Sequence, residues 1–246
     1  MTFLTARWSN LFLATYAVPE ELLLPRVPLG LELERPGGHC FVSLVAFDFL
    51  RTRVWGVPWP GFRDFPEINL RFYVRRGEQR GVMFIREFVP KPLVAAMARM
   101  LYNEPYASAE MSSTVREDER EITVVHRLDR GGRLNTLTAT GVKPAFLPGR
   151  DTAEHFFKEH EWGFNRDRKR QVRRYRVEHP AWEVYPVRKY EVDLDWAAVY
   201  GPEWGVLQNT TPYSVVLAVG SEVKVFSGEP LELPTSKPIA GAPPIG

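Results

Sequence analysis

The chain has 246 residues, of which 44% are hydrophobic and 25% charged, so its composition is that of a globular protein and not of a disordered one. Thirty-two basic residues against 30 acidic ones leave a net charge of +2, too balanced for a surface that coats nucleic acid. No apolar run reaches the ~18–20 residues that span a bilayer. The start MTFLTARWSN lacks a basic segment followed by a long apolar one. A single cysteine, Cys40, excludes an internal disulfide and a multi-cysteine metal site. The expectation is one large domain or two small ones in a reducing, cytoplasmic setting, with no membrane segment.

Trp8–Val18 is apolar and reads as a strand. Pro19-Glu20-Glu21 predicts a short helix with Leu22-Leu23-Leu24 as its buried side, stopped by Pro25 and Pro28. Leu29–Glu34 alternates, and Gly37-Gly38 predicts a hairpin turn into the next run. Cys40–Leu50 is nearly continuously apolar, as in a strand buried on both faces. Arg51–Asp64 reads as a long loop carrying Trp55, Trp59 and Phe62, either a rim or a packed cover over the core. Phe65–Val74 has the clearest pattern: Glu67, Asn69, Arg71 and Tyr73 fall on one face, and Ile68, Leu70, Phe72 and Val74 on the other.

Gly81–Val89 is a further strand, and Lys91–Tyr102 a mostly apolar helix with Pro92 in its first turn. Tyr106–Thr114, Glu121–Leu128 and Leu134–Val142 predict an antiparallel meander. Asp151-Thr152 caps a short helix that runs through Lys158. Gly163–Asn165 and Gln171–His179 pair around a charged turn, Val192–Tyr200 reads as a helix, and Tyr213–Val219 and Glu222–Phe226 as a hairpin over Gly220-Ser221. The whole predicts a mainly β (β-rich α+β) class: an antiparallel barrel with a few short helices over residues 1–227. A tail with five prolines follows over 228–246.

Four segments carry a family resemblance: WSNLFLATYAVPEELLLPRVPLGLELE, FPEINLRFYV, ARMLYNEPYASAEM and VEHPAW. In that order they resemble the YqjF-like proteins, domain-of-unknown-function family 2071, from about Trp8 to near Phe226. That family is in turn distantly similar to acetoacetate decarboxylase, which implies a cone-shaped, mostly antiparallel barrel with a central pocket. The decarboxylase works through a Schiff base between an activated lysine and a β-keto acid. Its lysine pair follows a proline; here Pro105 is followed by Tyr106 and Ala107, so the amine is missing from that place. Ser43 stands where the resemblance implies a carboxylate, the arginine near the start aligns with Arg7 or Ser9, and Glu67 is the one acid kept.

The Glu67 stripe lies wholly inside or wholly outside a barrel. Outside, it is a solvated strand face. Inside, Glu67 is the candidate for acid–base work, Arg71 for holding an anion, and Asn69, Tyr73 and Tyr106 for hydrogen bonding to a small molecule. His179 shares a strand face with Tyr175 and Val177 and joins this set. Lys91 is the lysine nearest to the Pro105 stretch. His155 and His160 are five apart, unlike a zinc pair, and no metal or cofactor is expected. Residues 165–176 hold seven Lys or Arg against one Asp, so a basic hairpin that touches nucleic acid or a protein is the alternative. A homo-oligomer with a filled barrel is the third reading.

Overall fold

The computed structural model describes residues 1–96, 105–167 and 171–231. In chain order, the first strands are β1 (Thr2–Val18), β2 (Glu32–Leu33), β3 (Cys40–Val54), β4 (Phe65–Arg76) and β5 (Gln79–Val89). Helix α1 covers 92–96, and the rest of the helix expected to Tyr102 lies outside the described residues. Strands β6 (Tyr106–Ser108), β7 (Glu110–Glu117), β8 (Glu121–Arg130) and β9 (Arg133–Val142) precede helix α2 (Ala153–Lys158). Then come β10 (Trp162–Arg166), β11 (Val172–Glu178), β12 (Val184–Tyr185), β13 (Val187–Asp193), helix α3 (Trp196–Tyr200), β14 (Ser214–Phe226) and β15 (Glu229–Pro230).

Two sheets result. The larger has the order β12-β14-β1-β3-β4-β5-β10-β11-β15, and it curls until β11 pairs back onto β14 at Val177↔Val225 and Glu178↔Lys224. The expected barrel is thus a curled sheet. Most of its ladders are antiparallel, but β5 runs parallel to both β6 and β10. The smaller sheet, β13-β9-β8-β7, packs on the outside of the curl.

This layering explains why β1 and β3 are apolar on both faces and why β4 is apolar on the face that meets the small sheet. Phe12, Ala14, Tyr16, Val42, Leu44, Ile68, Leu70 and Phe72 meet Val124, Leu128, Leu137 and Ala139 of the small sheet, with Trp196 and Tyr200 of α3. Leu11, Leu13, Val45, Phe47, Phe49 and Phe65 face the inside of the curl. At Asn10 (φ 57°) β1 leaves its register with β3. Side chains satisfy the displaced groups. Asn10 Nδ2 and Ser113 Oγ both donate to Asp48 Oδ2, at 2.8 and 2.9 Å. Buried His126 donates from Nε2 to the Asn10 carbonyl at 2.9 Å.

Several local expectations are corrected. Gly37 and Gly38 do not turn β2 into β3; they form a short 3-10 turn, and β2 lies on β4 through Leu33↔Val74. Pro25 does not stop a helix but opens a second 3-10 turn, and of the three leucines only Leu23 is fully buried. The first strand of the expected meander is split at Ala109: β6 joins the large sheet and β7 the small one. Val192 belongs to β13, and α3 starts at Trp196, where the Asp195 carboxylate accepts from Ala198 N at 3.0 Å. The expected closing hairpin is one strand. Gly220 (φ 80°) bends β14 without reversing it, and both halves pair with β1. A Cβ at Gly220 would lie 2.0 Å from the Trp8 carbonyl oxygen, so glycine is required for that close approach. The first residues of the proline-rich tail are part of the fold, since β15 pairs with β11 and Leu231 is buried. Residues 232–246 lie outside the described residues.

Candidate functional site

Inside the curl is a cavity of about 450 Å3. The register fixes its layout, because residues paired across β3 and β4 stand at one level: Phe49 with Phe65, Phe47 with Glu67, Val45 with Asn69, and Ser43 with Arg71. At ~3.3 Å per residue, Arg71 stands about 20 Å along the strand from Phe65. Along that distance the lining contributed by β3 and β4 changes from aromatic to polar, while Phe84 of β5 stands opposite Arg71. Phe65 stacks on Phe49 with centroids 4.8 Å apart, and Trp8 packs on Phe47, Phe49 and Trp182 at 5.0, 5.7 and 6.0 Å.

Glu67 is 3% exposed and turned inward. Its Oε1 accepts from Asn69 Nδ2 and its Oε2 from the Tyr106 hydroxyl, both at 2.9 Å. Glu87, opposite Asn69 on β5 and equally buried, is a further hydrogen-bond neighbour. Burial raises the Glu67 pKa to about 7, against the opposing pull of these hydrogen bonds and of the Arg71 charge. Burial and the two carboxylates hold Tyr106 well above the usual phenol range, so it remains a donor.

Arg71 donates from Nη2 to the Phe157 carbonyl at 2.9 Å, at the C-terminal end of α2, where a cation is favoured. Its Nε and the Asn69 Oδ1 are buried and have no hydrogen-bond partner among the described residues. Helix α2 is capped by Thr152, whose Oγ1 accepts from His155 N at 3.2 Å. Its last residue, Lys158, has a side chain with 0% exposure that reaches the cavity, and its ammonium donates to Glu159. Glu159 Oε1 also accepts from Trp182 N at 3.1 Å.

His160 follows, fully buried, with Nε2 3.6 Å from Glu34 Oε2. Desolvation lowers its pKa to about 4, so it is neutral at physiological pH. His179 stacks on Trp182 at 4.1 Å, its ring 6% exposed, and burial lowers its pKa too. Its Nδ1 donates to the Pro180 carbonyl at 2.9 Å.

The cavity therefore brings together Glu67, Asn69, Arg71, Tyr106 and His179. Tyr73 shares their strand face but lies outside the lining. Its hydroxyl joins a buried chain with Ser43 and Thr15 and stands 3.4 Å from the Phe157 carbonyl. Glu87, Lys158 and His160 also line the cavity and are not among the site candidates read from the sequence, where His160 is weighed only as a zinc ligand and Lys158 only as the end of a helix. The alternation that would have marked Glu87 is broken, because Leu70 faces Arg86 whereas Arg71 faces Phe84. Lys158 and His160 follow a helix too short to show a periodic face.

The loop after β3 supplies Trp59 and Phe62 to the lining, and α1 supplies Leu93 and Val94. Trp59 and Leu93 are 48% and 54% exposed, which puts them at the rim. Lys91 serves that rim: its ammonium donates to the Gly61 carbonyl and sits 5.4 Å above the Phe62 ring. Trp55 packs edge-on against Phe3 instead.

Two arginines of the basic hairpin are ion-paired, and a third donates to a backbone carbonyl. Arg174 pairs with Glu229 at 2.7 Å and donates to Gln79, Arg176 pairs with Glu161 and Glu178, and Arg173 donates to the Gly228 carbonyl. Arg168, Lys169 and Arg170 lie outside the described residues. Among the described residues no group of three or more His, Cys, Asp or Glu could hold a metal ion. Cys40 is buried in the core, which pushes its thiol pKa up. No described helix is long and apolar enough to cross a membrane.

A curled, mostly antiparallel sheet around one deep cavity is the acetoacetate-decarboxylase-like fold. An acetoacetate decarboxylase-like enzyme from Sphingomonas wittichii RW1 superposes with a TM-score of 0.63, at 12% identity over 94% of each chain. An enduracididine biosynthesis enzyme, MppR, solved in complex with pyruvate, gives 0.63 at 12% identity over 94% of this chain and 91% of its own. Within that fold class, the chain belongs to the DUF2071 family, an uncharacterized conserved protein, whose pattern matches residues 5–222. The uncharacterized protein YqjF of Bacillus subtilis (strain 168) is 26% identical over 153 residues, 62% of this chain. The match spans 63% of the length of that relative.

Proposed function

We propose that this chain is an enzyme that moves a proton on a small organic acid or carbonyl compound held in the cavity. The observation that carries this reading is the Glu67 carboxyl: buried, facing the cavity, and raised to a pKa of about 7, where it can take or give a proton at neutral pH. In this reading the substrate carboxylate lies against Arg71, whose buried Nε has a hydrogen bond to give, and near the Lys158 ammonium. The Tyr106 hydroxyl and Asn69 fix the carboxyl geometry of Glu67 from opposite oxygens. No amine follows Pro105, so the chemistry is assigned to acid–base transfer and not to a lysine Schiff base at that place. That solved relatives of this fold are named for acetoacetate and for a pyruvate complex supports the substrate class.

The test is exchange of the C3 protons of 2-oxobutanoate and 2-oxooctanoate for deuterium in heavy water, followed by proton NMR. Exchange above the buffer rate is expected, with loss in Glu67→Gln. Equal rates in the two proteins would remove Glu67 from the chemistry.

A further inference from the structure

We infer that the acid taken by this cavity carries an apolar tail: its polar head sits at the Glu67–Arg71 level, and its tail runs out along Phe47, Phe49, Phe65 and Trp8 to the rim. The inference rests on the reading above and narrows its substrate class.

The layout is the argument. The charged lining of β4 and β5, Glu67, Arg71 and Glu87, lies at one end, and toward the rim the lining turns to rings, Phe47 and then Phe49 with Phe65, with Thr52 a single hydroxyl beyond them. A two- or three-carbon acid bound at Arg71 would leave that aromatic sleeve facing water, and apolar surface is favoured when covered. The cavity, about 450 Å3, is also within the size range of pockets that enclose much larger molecules. The sleeve does not end at a wall. It opens between Trp59 and Leu93, both about half exposed, so a longer chain meets apolar side chains as far as solvent.

Isothermal titration calorimetry with acetate, hexanoate and decanoate tests this on the intact chain. Affinity should rise from acetate to decanoate, by up to about fourfold for each added methylene that is buried. Arg71→Gln should weaken all three acids by a similar factor. Trp59→Ala changes a half-exposed loop residue outside the core, and it should weaken decanoate while leaving acetate unchanged. Affinities that are flat or falling with chain length, but still sensitive to Arg71→Gln, would overturn the tail and leave the acid-binding site standing. Loss of affinity for acetate in Trp59→Ala would also overturn the tail assignment. Failure of the wild type to bind any of the three acids would overturn both.

Discussion

Replacing Glu67 with Gln reads the buried carboxyl through the stability of the whole fold. Glutamine matches a protonated glutamate in size and keeps an oxygen that can accept from Asn69 or Tyr106. The native carboxyl titrates at about 7, against an ordinary 4.5. Between those values the folded chain holds a proton that the unfolded chain has released, so stability must fall as pH rises. At ~1.4 kcal/mol per pH unit, the gap amounts to about 3 kcal/mol, fully developed above pH 7 and absent well below pH 4.5. The neutral variant has no such loss. His160 and His179, whose pKa values burial lowers, act in the opposite direction over part of this range, but they are common to both proteins and cancel in the difference. Urea denaturation at pH 4.5 and pH 8 is the assay. The stability of Glu67→Gln relative to wild type should increase by about 3 kcal/mol between the two, roughly 6–12 °C in melting temperature for a chain of this size. Parallel pH profiles would show that the Glu67 carboxyl is solvated and would remove the basis for its acid–base role.

Three further outcomes are expected. Lys158→Met keeps the buried stem but removes the ammonium; by the ~1.5–3 kcal/mol of a charge-assisted hydrogen bond, acid affinity should fall about 10–100-fold in calorimetry. Unchanged affinity would place the anion elsewhere. Thr152→Ala removes the cap of α2 and should cost about 1 kcal/mol in denaturant titration; a cost near zero would mean that the helix is held by its flanks alone. Gly220→Ala meets the Trp8 carbonyl oxygen at 2.0 Å with φ at +80°, so a loss of at least ~1–3 kcal/mol is expected. A neutral result would contradict the single bent strand.

The parts of this fold that could be read from the chain are those governed by two-residue alternation. Glu67, Asn69 and Arg71 fall on one face of β4 because the pleat requires it. Their direction was not legible, because both faces of β4 are covered: Ile68 and Leu70 by the small sheet, and the polar stripe by the curl itself. A polar stripe usually marks solvent, and here it marks an enclosed interior. Gly220-Ser221 has the composition of a turn, yet it lies opposite the displaced backbone of β1, so two irregularities match and the ladder continues. Glu87 was hidden by the register slip beside Arg71, and Lys158 by the shortness of α2. Those are tertiary facts, set by which strand lies beside which.

The wall of the cavity is unevenly sewn. β1 is stitched to its neighbours along most of its length, from Thr2 to Thr15 on one side and from Leu4 to Val18 on the other. The panel formed by β10 and β11 is tacked to the ring, among the described residues, at Trp162↔Gly81 and Gly163↔Val82 on one edge. On the other edge it is tacked at Val177↔Val225 and Glu178↔Lys224, and β15 adds Arg173↔Pro230 and Arg174↔Glu229. Trp162, Gly163, Tyr175 and Val177 of this panel line the cavity. Where so few backbone bonds must break, local opening costs least. Amide protons of β10 and β11 should therefore exchange with solvent before those of β1 and β3, and a molecule too bulky for the rim meets its most yielding wall there.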